Sequence, residues 1–125
     1  MISDKDIEKA KLRTDYNLES PHHEHNDCIR IAYEWLDAQK KTKTIPQCGH
    51  ASKSLIERWA GRYVSQSDVS VAAELHPEIH GKFPRFNISA RLTEPSLSRL
   101  NNIGEAFKHE NYREFHKSKD YSVHE

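Results

Sequence analysis

Ahead of three apolar-patterned runs in this chain a serine stands three residues before an acid: Ser3 with Asp6, Ser54 with Glu57, and Ser65 with Asp68. Each pair has the spacing of a capping box. The hydroxyl accepts from the backbone N–H three residues on, and the acid reaches back to the first free amide. Such starts divide the chain into short helices that must pack on one another, since helices this short are marginal alone.

Residues 3–12 form the first, with Ile7, Ala10 and Leu12 as its thin apolar content. Residues 27–41, DCIRIAYEWLDAQKK, are the clearest helix. Asn26 or Asp27 caps its start. Cys28, Ala32 and Trp35 share a face, beside Ile29, Tyr33 and Leu36. A helix from Ser54 carries Leu55, Ile56, Trp59 and Ala60 and ends at Gly61. In residues 64–76 the Ser65/Asp68 box and the alanines favour helix, while Val69, Val71, Ala73 and Leu75 also alternate as in a strand. We read it as helix.

PEIHGKFP, residues 77–84, is a turn or hairpin loop. Residues 85–92, RFNISARL, alternate strictly and read as a half-buried strand, with partners sought in 42–46, 63–71 or 77–80. A last helix is expected over about 95–109. Thr93 would be its cap, and Leu97, Leu100, Ile103 and Phe107 its buried stripe. The result is an α+β fold of three to four helices with a small β-hairpin. Residues 1–26 form an N-terminal arm with a short helix, 27–109 the globular domain, and 110–125 a polar tail.

The chain has 125 residues, 19 Lys+Arg and 19 Asp+Glu. A zero balance argues against coating nucleic acid by charge alone, and against an acidic DNA mimic. Two cysteines give no disulfide framework. MISDKDIEKAK lacks the apolar core of a signal peptide, and no apolar run reaches membrane-spanning length. The expectation is a cytoplasmic protein without a membrane partner and with reduced thiols.

From Leu55 to Leu75 the text LIERWAGRYVSQSDVSVAAEL reads as helix, turn with buried Val64, helix. An extended segment at 42–46 precedes it, and a Gly-Lys loop with a strand follows at 81–92. This order of elements resembles the winged helix-turn-helix family over about residues 27–92. The resemblance implies a small DNA-binding transcription regulator, with a homodimer and a phage or plasmid origin as further expectations. Residues 66–75 would enter the major groove of double-stranded DNA, with Gln66, Ser67 and Ser70 at base edges. Lys53, Arg62, Lys82, Arg85 and Arg91 would meet phosphate, and Lys82 with Arg85 phosphate or the minor groove. Gly61 lies earlier than the usual turn glycine, and the reading helix has no Lys or Arg.

Other chemistries leave fainter traces. His25, Cys28, Cys48 and His50 are the residues that would close a tetrahedral zinc site, but their spacings depart from the finger pattern and Cys28 falls on an apolar face. No metal and no cofactor is therefore expected. His76, His80, His109 and His116 each have a Glu nearby, as chance provides with nine histidines. No nucleophile elbow, phosphate loop or HExxH occurs, so a non-enzyme is expected. The alternative to DNA binding is a non-catalytic protein-binding module or inhibitor, anchored by Tyr16, Tyr63, Phe83, Tyr112, Phe115 and Tyr121.

Overall fold

A computed structural model describes residues 1–46 and 53–125. The described chain is a mixed α+β fold. Four helices, α1 (Asp4–Arg13), α2 (Asn26–Ala38), α3 (Lys53–Ala60) and α4 (Gln66–Leu75), are followed by a hairpin of β1 (Gly81–Lys82) and β2 (Arg85–Phe86). Then come β3 (Thr93–Glu94), three 3-10 segments at Leu97–Leu100, Glu110–Phe115 and Ser118–Asp120, and β4 (Val123–His124).

The caps act much as their spacing implies. The Ser3 hydroxyl accepts from Asp6 N, and at α4 both halves of the Ser65/Asp68 box are made. That settles 64–76 as helix. At α3 the residues do something else. Ser54 lies inside the helix, and the Glu57 carboxylate accepts from Lys53 Nζ at 3.0 Å and Val64 N at 3.3 Å. Gly61 ends α3 at φ +59°, where a side chain would strike Arg113. The cap of α2 is the His25 ring, which accepts from Asp27 N, in place of Asn26 or Asp27. Helix α2 stops at Ala38, because Gln39 is extended and its amide bonds Thr93 N, Thr93 O and Trp35 O.

The core lies between α2 and α4, with α1 across them. Ile7, Ala10, Ile31, Trp35, Trp59, Val69 and Val71 are fully buried in it. The arm of residues 1–26 is thus part of the domain, and so is the tail. Tyr121 is 5% exposed and its hydroxyl accepts from Trp35 Nε1 at 3.1 Å. Strand β4 pairs in parallel with β3, Thr93 to Val123 and Glu94 to His124.

The helix expected over 95–109 does not form. Thr93 belongs to β3, Ser96 caps one 3-10 turn, and the chain then turns through Asn101, Asn102 and Gly104, all poor helix formers. Leu100 and Ile103 are buried, but Leu97 and Phe107 are exposed, Phe107 with φ 67°. Phe107 N and His109 N donate to Ala60 O and Gly61 O, meeting carbonyls that the end of α3 leaves free.

The strand expected over 85–92 is regular only at Arg85–Phe86, opposite Gly81–Lys82. Phe86, Ile88 and Leu92 point inward as the alternation requires, whereas Ala90 is exposed and Asn87 is buried. Lys41 bridges Ile88 on the other side, so 40–42 lies antiparallel to 87–89.

Candidate functional site

The first place to look is α4. Its residues Ser67 to Ala73 are all buried. Ser67 is 2% exposed and its Oγ accepts from His22 N; Ser70 is 7% exposed and its Oγ donates to Gln66 O. Gln66 alone among the three proposed base-reading residues is partly open. The segment PHHEH, residues 21–25, lies over the start of this helix. Asp68, fully buried, accepts from His23 Nδ1 at 2.8 Å and from the backbone N–H groups of Glu24 and Ser65. The Ser65 hydroxyl donates to His22 O. A helix covered in this way does not present Ser67 and Ser70 to a duplex groove. The physical reason is that α4 is the innermost helix, packed on α2 and α1.

Two of the proposed phosphate contacts are likewise engaged. Arg62 is 6% exposed and lies 3.1 Å from Glu105 and 3.6 Å from Glu24. Lys53 bonds Glu57 and sits 4.6 Å over the Tyr63 ring.

The two zinc candidates among the described residues, His25 and Cys28, are engaged elsewhere. Burial pushes the Cys28 thiol up to about 12, and its Sγ donates to Tyr63 O at 3.5 Å. His25 caps α2. Cys48 and His50 lie outside the described residues. Among the described residues no group of three or more His, Cys, Asp or Glu is placed to hold a metal ion. Four further histidines sit in structural contacts. His76 Nε2 bonds Asp37, its Nδ1 accepts from Glu78 N, and His109 Nδ1 accepts from Tyr63 N. His116 and His124 both bond Glu94. Burial raises the Glu94 pKa, but these bonds and one from Ser118 outweigh it and hold the carboxyl down at about 2.

Lys82, Arg85 and Arg91 are different. All three are exposed. They lie on a ribbon made by the hairpin, the 87–91 segment and residues 40–46. Ser89 N donates to Lys40 O at 2.8 Å, Thr42 N to Asn87 O at 2.9 Å, and the Arg85 guanidinium to Pro46 O at 3.1 Å. Asn87 joins the pieces. Its side-chain amide donates to Thr42 O and Glu78 O, and its Oδ1 accepts from His80 N.

Residues 38–46 and 79–93, brought together here, contain six Lys or Arg and no Asp or Glu. Lys41 turns back to Asp37 O, but Lys40 and Lys43 are exposed beside the other three. Among the described residues Lys40, Lys43, Arg85 and Arg91 form no ion pair, and Lys82 has only Asp15 at 3.4 Å. Lys82 and Arg85 face each other across the hairpin. Like charges directly opposite in a ladder are unfavourable, and an anion between them reverses the sign.

No protein-family model, no curated protein and no solved structure matches this chain.

The overall balance of zero conceals this segregation. Residues 38–93 hold nine Lys or Arg against four acids, while the rest hold ten against fifteen. Reading the sequence found Lys82, Arg85 and Arg91, and offered Lys40 and Lys43 as members of one basic face with them, but it did not single out Asn87 as the residue that joins the pieces. Among the described residues no helix is long and apolar enough to cross a membrane.

Proposed function

We propose that this protein binds nucleic acid through its phosphates, using the ribbon of residues 40–46 and 81–91. One observation supports the reading above others: two acid-free stretches, distant in sequence, are held side by side with five exposed cations. A row of exposed cations, four of them without an ion pair among the described residues, suits a polymer of regularly spaced negative charge. The acids at its margins are partly occupied, as Asp37 is by His76 and Arg99. A regulator that reads base sequence through α4 has less support, because Ser67 and Ser70 are covered. Binding that depends chiefly on the backbone fits better.

The test is fluorescence anisotropy with labelled DNA across a salt series. Five phosphate contacts at most imply a slope of log affinity against log salt of about −2 to −4. The double substitution Lys82→Glu/Arg85→Glu should weaken binding by at least about tenfold at low salt and flatten that slope. A flat salt response in the unmodified protein, or a double variant that binds equally well, would end the proposal.

A protein partner is the second reading, and Phe115 favours it. This side chain is 59% exposed, at a groove of about 330 Å³ between α3 and the 110–115 turn.

A further inference from the structure

The segment that covers the start of α4 is held by a chain of hydrogen bonds whose protons can be counted. Tyr16 Oη lies 2.8 Å from Lys11 O and 3.1 Å from His23 Nε2, and His23 Nδ1 lies 2.8 Å from Asp68 Oδ1. Lys11 O is one of the carbonyls that the end of α1 leaves free. A carbonyl only accepts, so the single Tyr16 proton goes to it. Turned the other way, the hydroxyl would set its lone pairs against the carbonyl. Burial raises the Tyr16 pKa, which keeps that proton on the phenol. His23 Nε2 must therefore donate to Tyr16. At the other edge of the ring a proton must lie between Nδ1 and the carboxylate, because two bare acceptors at 2.8 Å repel. Asp68 is fully buried, and its second oxygen accepts from the backbone N–H groups of Glu24 and Ser65.

The ring and the carboxylate thus hold two protons, where a neutral imidazole and a carboxylate hold one. We propose that this pair is a proton-operated latch, which fastens residues 14–25 across the end of α1 and the start of α4 and slackens as rising pH removes the second proton. The step is the loss of one proton to solvent. The N–H that remains serves Asp68 or Tyr16, not both, so the chain loses a hydrogen bond. Glu8 from α1, Glu24 beside the ring and Asp68 from α4 are the acids around the pair, and they favour the second proton. The nearby cations are engaged: Lys11 with Glu8 and Asn26, His22 with Glu24, and Arg62 with Glu24 and Glu105. The Cys28 thiol of α2, pushed up to about 12 by burial, stays neutral.

Asp68→Asn is the discriminating variant. Its amide keeps an oxygen for Glu24 N and Ser65 N, and offers Nδ1 an N–H that no rise in pH removes. Urea unfolding of both proteins is followed by tryptophan fluorescence from about pH 6 to about pH 9, a range that spans the titration of an ordinary imidazole. The folded unmodified protein holds the extra proton and the unfolded chain does not, so its stability falls as pH rises. Its urea midpoint should drop by about 0.5 M more than that of the variant. The other histidines titrate alike in both proteins and cancel in the comparison. A proton–nitrogen correlation spectrum of the imidazole rings in the unmodified protein reads the proton directly and needs no variant to fold. His23 Nε2 should carry a proton at about pH 7. Parallel pH profiles, or a steeper fall in the variant, would overturn the latch, and so would an Nε2 without a proton.

Discussion

Cations on the two sides of this molecule do opposite things. On the helical side Arg30 bonds Asp4 and Asp27, Arg62 meets Glu24 and Glu105, and Arg99 gathers Glu34, Asp37 and Glu125. Each joins segments far apart in sequence. Multiple carboxylate partners raise the Arg99 pKa above its ordinary value despite partial burial. On the ribbon, Lys40, Lys43, Arg85 and Arg91 have no carboxylate partner among the described residues. The lesson is that charge number and charge role are separate matters. Removing an arginine from the first group leaves acids, most of them half-buried, without counter-charge, whereas removing one from the second leaves no acid unpaired.

That contrast can be broken in three places. The largest effect is expected from Arg62→Ala, which strips Glu105, Glu24 and the Tyr63 carbonyl of a donor. Urea unfolding followed by tryptophan fluorescence should show a loss of about 2–4 kcal/mol. A loss near zero would mean that the helical side is as indifferent to its arginines as the ribbon.

Glu94 gives an intermediate effect and a pH signature. Its folded pKa is depressed to about 2, below the value near 4.5 of a free glutamate. The stabilisation is therefore complete above about pH 4.5 and is lost as pH falls towards about 2. Glu94→Gln should lower stability by about 1–3 kcal/mol at neutral pH. It should also flatten the acid limb of a plot of urea midpoint against pH. Parallel acid limbs in the two proteins would show that the bonds to His116, His124 and Ser118 contribute little.

The smallest effect belongs to the ribbon. Arg91→Ala should change stability by no more than about 0.5 kcal/mol while weakening nucleic-acid binding. A larger loss would give Arg91 a structural duty and sharpen the division at its expense.

Much of the helical side was legible in the sequence, because caps are local chemistry. Ser3, Ser65, Asp68 and Gly61 act within one turn of their own position. The last third was not legible. Leu97, Leu100, Ile103 and Phe107 have helical spacing, yet the backbone N–H groups of Phe107 and His109 go to α3 instead. Spacing cannot reveal hydrogen-bond partners 47 and 48 residues upstream. The same holds for Asn87, an ordinary polar residue in an alternating strand until Thr42, Glu78 and His80 surround it. As for the candidate site, its individual cations were visible and 42–46 was one of three possible partners for the strand, but which partner it takes is a tertiary fact.

Tyr121 carries a consequence for how the molecule is made. Its hydroxyl completes the hydrogen bonding of Trp35, eighty-six positions earlier. During translation α2 emerges first, and its indole must wait for nearly all the remaining chain to leave the ribosome. Closing so long a loop is entropically costly and comes late. A nascent chain stalled before that point holds its largest aromatic half-finished and open to chaperones.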